Sequence, residues 1–122
     1  MNIKESEHWI QKQYIEWVRI ATINHAELDL LFAVPNGEYR PVKVGIKLNN
    51  EGVKKGVPDI MFPFPLGEYH GMAIEFKRPG GTISNEQRKY LRSLRDLSKW
   101  AVSVCFSADE GINFTKKYLG IG

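Results

Sequence analysis

GMAIEFKRPGG, residues 71–81, starts with an apolar run that predicts a β-strand and then breaks at a Pro-Gly-Gly turn. Side chains alternate between the two faces of a strand, so Glu75 and Lys77 share one face while Ile74 and Phe76 share the other. A carboxylate and an ammonium group therefore project side by side from one surface of the predicted sheet. Taken alone, E-x-K is a weak motif, because an ordinary exposed strand can carry the same pair.

A second strand is predicted just upstream, at residues 59–64. Asp59 opens it directly after Gly56-Val57-Pro58, where the proline fixes the entry into the strand. If the two strands pair, Asp59 approaches Glu75, and neighbouring carboxylates repel each other unless a cation lies between them. Oxygen ligands of this kind favour Mg²⁺ or Mn²⁺ over zinc. Such a metal can polarise a phosphodiester oxygen and activate a water, which Lys77 can orient.

Downstream of the turn, the pattern predicts a helix, a strand and a second helix. Ser84 followed by Gln87 resembles a capping box that opens a helix of about 15 residues. Residues 100–106 predict a buried strand, and Ser107 repeats the capping pattern before a helix at 108–119. A strand-helix-strand crossover implies a parallel pair of strands, whereas the hairpin before it implies an antiparallel pair.

The N-terminal third completes an α/β domain. Apolar residues recur with helical spacing over residues 3–24, and a short apolar run at 30–34 predicts a strand ended by the turn residues 35–37. Residues 41–51 alternate like a strand but also suit a short helix, which we favour. The chain, residues 1–122, is thus expected to form one domain with a mixed sheet flanked by helices.

Two polar side chains lie on helix faces that are otherwise apolar. Glu7 falls on the buried stripe of the first helix, so it needs a metal or a basic partner unless it reaches water at the helix end. Gln87 faces the predicted sheet, yet it could simply serve the cap with Ser84. The sequence leaves both alternatives open.

Positive charge is concentrated in two segments. Residues 38–58 hold five Lys or Arg against two acidic residues, and residues 77–99 hold seven against two, although the net charge is only +3. In the second segment Arg88, Arg92, Arg95 and Lys99 recur at helical spacing and form one outward stripe. Such a stripe can neutralise nucleic-acid phosphates, or it can be an ordinary solvated face.

Several other classes of protein are disfavoured. There is no P-loop and no GxGxxG motif, and the three histidines show no metal-ligand spacing. The single cysteine, Cys105, lies in an apolar run and is interpreted as a buried, inert thiol. The charged N-terminus does not look like a signal peptide and no apolar run reaches membrane-span length, so a cytoplasmic protein with no membrane partner is expected.

Together these motifs resemble the PD-(D/E)xK nuclease superfamily and, more narrowly, its VRR-NUC (virus-type replication-repair nuclease) domains. The wider resemblance rests on Gly56-Val57-Pro58-Asp59, Glu75-Phe76-Lys77 and Gln87. The narrower one adds Glu7, Gln11, Asn36-Gly37 with Arg40, and the stretches EGVKKGVPD (51–59), GMAIEFKRPGG (71–81) and SNEQRKYLRSL (84–94). Stand-alone domains of this size resemble bacterial or phage enzymes.

The resemblance implies a restriction-endonuclease-like αβββαβ core and a divalent-metal-dependent endodeoxyribonuclease. Its implied substrate is branched DNA, such as four-way (Holliday) junctions, cut by a homodimer. The implied metal-binding groups are Glu7, Asp59, Glu75 and the main-chain carbonyl of Phe76, with Mg²⁺ or Mn²⁺ as the cofactor. The implied catalytic residues are Asp59, Glu75, Lys77 and Gln87. The expected DNA-binding residues are Arg40, Lys54, Lys55, Arg78, Arg88, Arg92, Arg95 and Lys99.

Two alternatives remain beside this interpretation. One is a non-catalytic DNA-binding module on a nuclease scaffold, which the complete set of motif residues disfavours. The other is a flap or duplex nuclease that acts as a monomer. For the homodimer, the sequence offers Trp9, Phe64 and Tyr69 as aromatic residues outside the predicted core, a kind of residue that often marks an interface.

Overall fold

The structure is a computed structural model that describes residues 6–35 and 42–122. Expectations that concern Ile3, Asn36-Gly37 and Arg40 lie outside these residues. In chain order the elements are α1 (Glu7–Ala21), a 3₁₀ helix (Ala26–Leu30), β1 (Phe32–Ala33), α2 (Val42–Asn50), β2 (Ile60–Phe62), β3 (Met72–Phe76), α3 (Asn85–Ser98), β4 (Ala101–Cys105) and α4 (Ala108–Leu119).

The four strands form one mixed sheet in the order β1-β2-β3-β4. β1 pairs with β2 and β2 with β3 in antiparallel fashion, whereas β3 and β4 are parallel, as the crossover through α3 requires. The predicted α/β class and mixed sheet are therefore confirmed. The elements follow the expected αβββαβ order, with α2 and α4 as additional helices.

α1 and α4 cover one face of the sheet. The alternation of β3 sends Phe76 toward them, where its ring lies 5.2 Å from that of Tyr14. A Cβ added at Gly111 of α4 would lie only 2.7 Å from the Phe76 ring, so the helix approaches this closely because it has glycine there. The Tyr14 hydroxyl and the Thr115 Oγ1 are 2.6 Å apart and share a hydrogen bond, so both of these buried hydroxyl groups are paired.

α3 packs on the opposite face, mainly against β4. Its start matches the predicted capping box: the Ser84 hydroxyl accepts the Gln87 amide N–H, and the Gln87 side chain accepts the Ser84 N–H. Leu91 is buried, whereas Leu97, which continues the apolar spacing of the helix, is 83% exposed. The helix then ends at Lys99, which has the left-handed conformation with φ +55°.

The N-terminal elements are shorter than predicted. α1 ends at Ala21, and Leu30, expected to start a strand, instead ends the 3₁₀ helix. Only Phe32 and Ala33 pair with β2, and both are exposed. The apolar run at 30–34 therefore supplies a strand, as predicted, but a short one at the edge of the sheet. The favoured interpretation of residues 41–51 as a helix is confirmed by α2.

Cys105 is buried in the core, and burial raises the pKa of its thiol to about 11. A thiol in that condition is a poor nucleophile, as the sequence suggested. Among the helices of the described residues, none combines the length and the apolar content that crossing a bilayer requires.

Candidate active site

The antiparallel pairing of β2 with β3 brings Asp59 next to β3. Ile60 lies opposite Ile74 in the register, so Asp59, one residue earlier, lies level with Glu75. The Asp59 carboxylate is anchored there, since its Oδ2 accepts the backbone N–H of Phe76 at 2.8 Å. The juxtaposition expected from the two motifs is thus present.

Glu75 is the most deeply buried acidic group of this site, with 2% of its surface exposed. Its Oε2 accepts a hydrogen bond from Gln87 Nε2 at 2.8 Å and lies 3.8 Å from Lys77 Nζ. Its Oε1 is also buried but makes no hydrogen bond within residues 6–35 and 42–122. A buried carboxylate oxygen without a partner is costly, so this atom is where a further ligand would be most favourable.

Lys77 joins the two elements that meet at the end of β3. Its Nζ lies 3.9 Å from Glu7 Oε1 on α1, besides its contact with Glu75. The Lys77 side chain is 14% exposed and that of Glu7 is 45% exposed. Glu7 therefore has a basic partner and also reaches water, so two of the possibilities raised by the sequence hold together.

Gln87 serves the cap and the site at once. Its Oε1 accepts the Ser84 N–H at 2.8 Å, and its Nε2 donates to Glu75 at the same distance. Because the cap uses the amide oxygen, the amide nitrogen is turned toward the carboxylate. The two roles that the sequence treated as alternatives are thus combined in one side chain.

Burial raises the pKa of both carboxyl groups. For Glu75, burial is the larger cause and the charge of Asp59 the second, and together they raise its pKa to about 8 despite the nearby Lys77. Burial also raises the pKa of Asp59, against the effect of the Phe76 N–H. Without a cation, the pair therefore tends to hold a proton at neutral pH.

This arrangement fits a divalent cation. The buried Glu75 and the half-buried Asp59 both have raised pKa values, and one Glu75 oxygen has no hydrogen-bond partner among the described residues. They form an oxygen donor set of the type that Mg²⁺ and Mn²⁺ prefer. Across the described ranges, no group of three or more His, Cys, Asp and Glu side chains is arranged to hold a metal. A cation here would need main-chain oxygens or water besides Asp59 and Glu75.

The sequence did not predict a close contact between Gly56 and the first turn of α3, which helps to position Asp59. Gly56 has φ +83°, and a Cβ added to it would lie 2.6 Å from the backbone carbon of Glu86 and 2.9 Å from the Gln87 nitrogen. The segment leading to Asp59 thus passes directly against the first turn of α3. The only signal in the sequence is a glycine three residues before Asp59, which does not reveal its partner.

The expected DNA-binding residues that the structure describes are all exposed: Lys54, Lys55, Arg78, Arg88, Arg92, Arg95 and Lys99. Arg88, Arg92 and Arg95 line a groove between α3 and β4. Arg95 also pairs with Asp96 at 2.8 Å. Lys99 lies at the end of α3 farthest from Gln87, and Arg40 is outside the described residues.

The three aromatic residues suggested for a dimer differ in exposure. Phe64 is half-buried, with its ring stacked on Phe62 at 5.6 Å. Trp9 is also half-buried, below the ammonium group of Lys12. Tyr69 alone of the three is exposed, at 41%.

Comparison with known proteins identifies the family. The family model described as the VRR-NUC domain matches residues 4–109. The chain belongs to the VRR-NUC domain family. It is also similar to a solved structure titled "VRR_NUC domain protein", with a TM-score of 0.66, 21% sequence identity and 88% of each chain covered, which supports the same fold. No curated protein matched the chain. The matched range includes the Asp59, Glu75, Lys77 and Gln87 cluster, so both carboxylates of this VRR-NUC domain lie inside the segment that matches the family.

Proposed function

We propose that this VRR-NUC domain is a divalent-metal-dependent endonuclease that hydrolyses phosphodiester bonds in branched DNA, such as four-way junctions. The observation that carries the proposal is the buried Glu75 carboxylate, level with Asp59 and with one oxygen lacking a partner. A pair that protonates so readily has little structural use, but it suits a group that exchanges protons for a cation.

The groups that would hold the cation are Asp59, Glu75 and the carbonyl of Phe76, with Glu7 beside it. When bound, Mg²⁺ or Mn²⁺ supplies a Lewis acid for a phosphate oxygen and lowers the pKa of a water. Asp59 is fixed by the Phe76 N–H, and Gln87 fixes Glu75 Oε2, so neither carboxylate has to reorient when substrate arrives.

Lys77 is the residue best placed to act on the reacting phosphate. Its side chain is only 14% exposed, and its ammonium group approaches Glu75 and Glu7 at ion-pair distances too long for strong hydrogen bonds. It therefore keeps donors for a water or for an oxygen that gains negative charge during cleavage.

The proposed preference for branched DNA depends on the formation of a dimer. A four-way junction is resolved by two symmetric nicks, and a two-fold dimer presents two such sites in matching orientation. We therefore infer a homodimer. The exposed Tyr69, in the loop between the two carboxylate-bearing strands, is our candidate interface residue.

The alternative of a non-catalytic DNA-binding module is disfavoured by the connections among Asp59, Glu75, Lys77 and Gln87. A binding surface has no use for a buried carboxylate that is held by Gln87 and paired with Lys77. A monomeric flap or duplex nuclease would use the same cluster, and it differs from our proposal in mass and in substrate.

The test is cleavage of end-labelled duplex, flap, splayed and four-way-junction DNA with Mg²⁺, with Mn²⁺ and with excess EDTA. We expect metal-dependent cutting with the four-way junction preferred. Glu75→Gln should be inactive, whereas Glu16→Gln, which changes an exposed glutamate of α1, should match the wild type. Full activity in EDTA, or in Glu75→Gln, would contradict the proposal.

A further inference from the structure

The groove between α3 and β4, here called the α3–β4 groove, has a basic wall on α3 and a wall formed by the edge strand β4. Arg88, Arg92 and Arg95 line it from α3, and residues 102–104 line it from β4, with Leu91 between them. All three arginines are exposed. The groove is therefore open to solvent and positively charged along its whole length.

The β4 wall is the free edge of the sheet. β4 pairs with β3, and no other described strand lies beside it. The N–H of Ala101 donates to Gly71 and the carbonyl of Cys105 accepts from Lys77, so odd-numbered residues of β4 direct their main-chain groups toward β3. Alternation along the strand then directs those of Val102 and Val104 away from β3, at the free edge that borders the groove.

Two further facts agree with this orientation. Phe106, next in the even-numbered series, donates its N–H away from β3, to Glu110 Oε1 at 3.2 Å. Ser103 is level with Ile74, whose side chain lies in the core, so the Ser103 side chain is on the α1 and α4 face and the side chains of Val102 and Val104 are on the α3 face. The groove thus combines guanidinium groups with outward backbone donors, the two kinds of group that contact DNA phosphates most often.

The groove also has a direction. α3 begins at the carboxylates, where Gln87 contacts Glu75, and runs back along the sheet toward the start of β4. Arg88 is adjacent to Gln87, and Arg92 and Arg95 follow at increasing distance. At a rise of about 1.5 Å per residue, Arg88 to Arg95 spans roughly 10 Å. One DNA strand advances about 3.4 Å per nucleotide, so the row matches about three nucleotides.

We propose that the α3–β4 groove binds the sugar-phosphate backbone of the cleaved strand over about three nucleotides on one side of the cut. This inference rests on the proposed nuclease function and adds the path of the substrate strand. The pair of Arg95 with Asp96 does not oppose it, because exposed ion pairs are weak and a phosphate can replace the carboxylate. Continuity with the carboxylate site favours a DNA strand over an acidic peptide.

The test is a double-mutant cycle between protein and DNA. Once the cut site is mapped on unmodified DNA, single neutral methylphosphonate linkages are placed at each of the phosphates flanking it. Binding of each DNA is measured by fluorescence anisotropy for the wild type, Arg92→Gln and Lys89→Gln. Lys89 is the matched control, since it is exposed on α3 but does not line the groove.

We expect one or two methylphosphonates on one side of the cut to weaken wild-type binding by about 3- to 10-fold. The same linkages should have no further effect on Arg92→Gln, whereas Lys89→Gln should respond like the wild type. Unmodified DNA could be cut while the losses of affinity caused by Arg92→Gln and by each methylphosphonate are independent, so that the two factors multiply. The groove inference is then wrong and the nuclease proposal stands. If DNA is neither cut nor bound, both are wrong. An acidic peptide could instead compete with DNA for the groove while Arg92→Gln shows no coupling to any phosphate. That result would assign the groove to a protein ligand and overturn the inference.

Discussion

Gln87 Nε2 donates to Glu75 Oε2 at 2.8 Å while the oxygen of the same amide accepts the Ser84 N–H. The start of α3 and the orientation of the buried carboxylate are therefore set by one side chain. Gly56 adds a second constraint, because it lets the segment before Asp59 pass against the same helical turn. The positions of both carboxylates thus depend on the first turn of α3. Changes to Gln87 in that turn should therefore affect cleavage as well as stability.

Removing Gln87 should affect activity and stability, whereas removing Ser84 Oγ should affect stability alone. Ser84→Ala loses one capping bond and should lower the free energy of unfolding by about 1 kcal/mol with cleavage largely kept. Gln87→Ala should cost a similar amount and also reduce cleavage by at least about 10-fold, since Glu75 loses its donor. Chemical denaturation and single-turnover cleavage measure the two effects. Equal activity of the two variants would show that the Glu75 contact has no role in catalysis.

Asp59→Ala, Glu75→Ala and Lys77→Ala should each reduce cleavage by at least about 100-fold. The reason is their convergence at the end of β3, where each would serve the same phosphate. Folding should be preserved, and most DNA affinity should remain, because the exposed basic residues are unchanged. Cleavage rates, circular dichroism and anisotropy binding check the three statements. If Glu75→Ala cleaved DNA at nearly the wild-type rate, the assignment of this cluster as the active site would be wrong.

The metal-free protein should lose stability as the pH rises from about 5 to about 8. The pKa of Glu75 is about 8 in the folded chain, against an ordinary value of 4.5, so between these values the folded state binds more protons than the unfolded state. Unfolding then releases protons, and raising the pH favours it. Thermal unfolding should therefore occur several degrees lower at pH 8 than at pH 5.5.

Two controls accompany this pH profile. Glu75→Gln removes the titrating group and should flatten it. Mg²⁺ added at pH 8 should raise the unfolding temperature of the wild type but not that of Glu75→Gln. A wild-type stability that increases over the same pH range would show that the carboxylate pair is not the dominant titrating group.

The parts of this site that follow from strand geometry could be predicted from the sequence. The alternation of β3 and a hairpin before it suffice to bring Asp59 level with Glu75. Contacts that depend on how a helix packs could not be predicted. Whether Gln87 capped α3 or reached Glu75 depends on the distance between helix and sheet, and the close passage of Gly56 depends on the same packing.

The sequence interpretation was wrong where burial or strand pairing depends on neighbouring elements and not on the spacing of apolar residues. Leu97 continues the apolar spacing of α3, but it lies in the last helical turn and is 83% exposed. The apolar run at 30–34 predicts a strand, yet within that run only Phe32 and Ala33 pair with β2, at the edge of the sheet. Spacing describes which face a side chain takes and does not tell whether anything covers that face.

Changing Arg92 and Arg95 together to alanine should weaken binding to all DNA shapes similarly. Both side chains are exposed and both border the α3–β4 groove, where they would neutralise phosphates without contacting bases. The slope of log affinity against log salt should fall by about 1 to 2, with the lower figure expected because Arg95 is partly neutralised by Asp96. Titrations at several salt concentrations measure it. An unchanged slope would mean that these arginines form only a solvated face.

The protein should be a homodimer that makes paired nicks in a four-way junction. A single carboxylate site cuts one strand at a time, so symmetric resolution needs two copies related by a two-fold axis. Light scattering at micromolar concentration should give twice the mass of the 122-residue chain. Tyr69→Glu, which places a charge on our candidate interface, should shift the mass toward the monomer, whereas Ile23→Glu, at another exposed apolar residue, should not. The monomeric Tyr69→Glu protein should still nick flap or duplex DNA, because the carboxylate site lies within each copy, but its two junction nicks should become uncoupled in time. A monomeric mass for the wild type, both free and bound to a junction, would contradict the dimer and favour a single-nick flap or duplex nuclease.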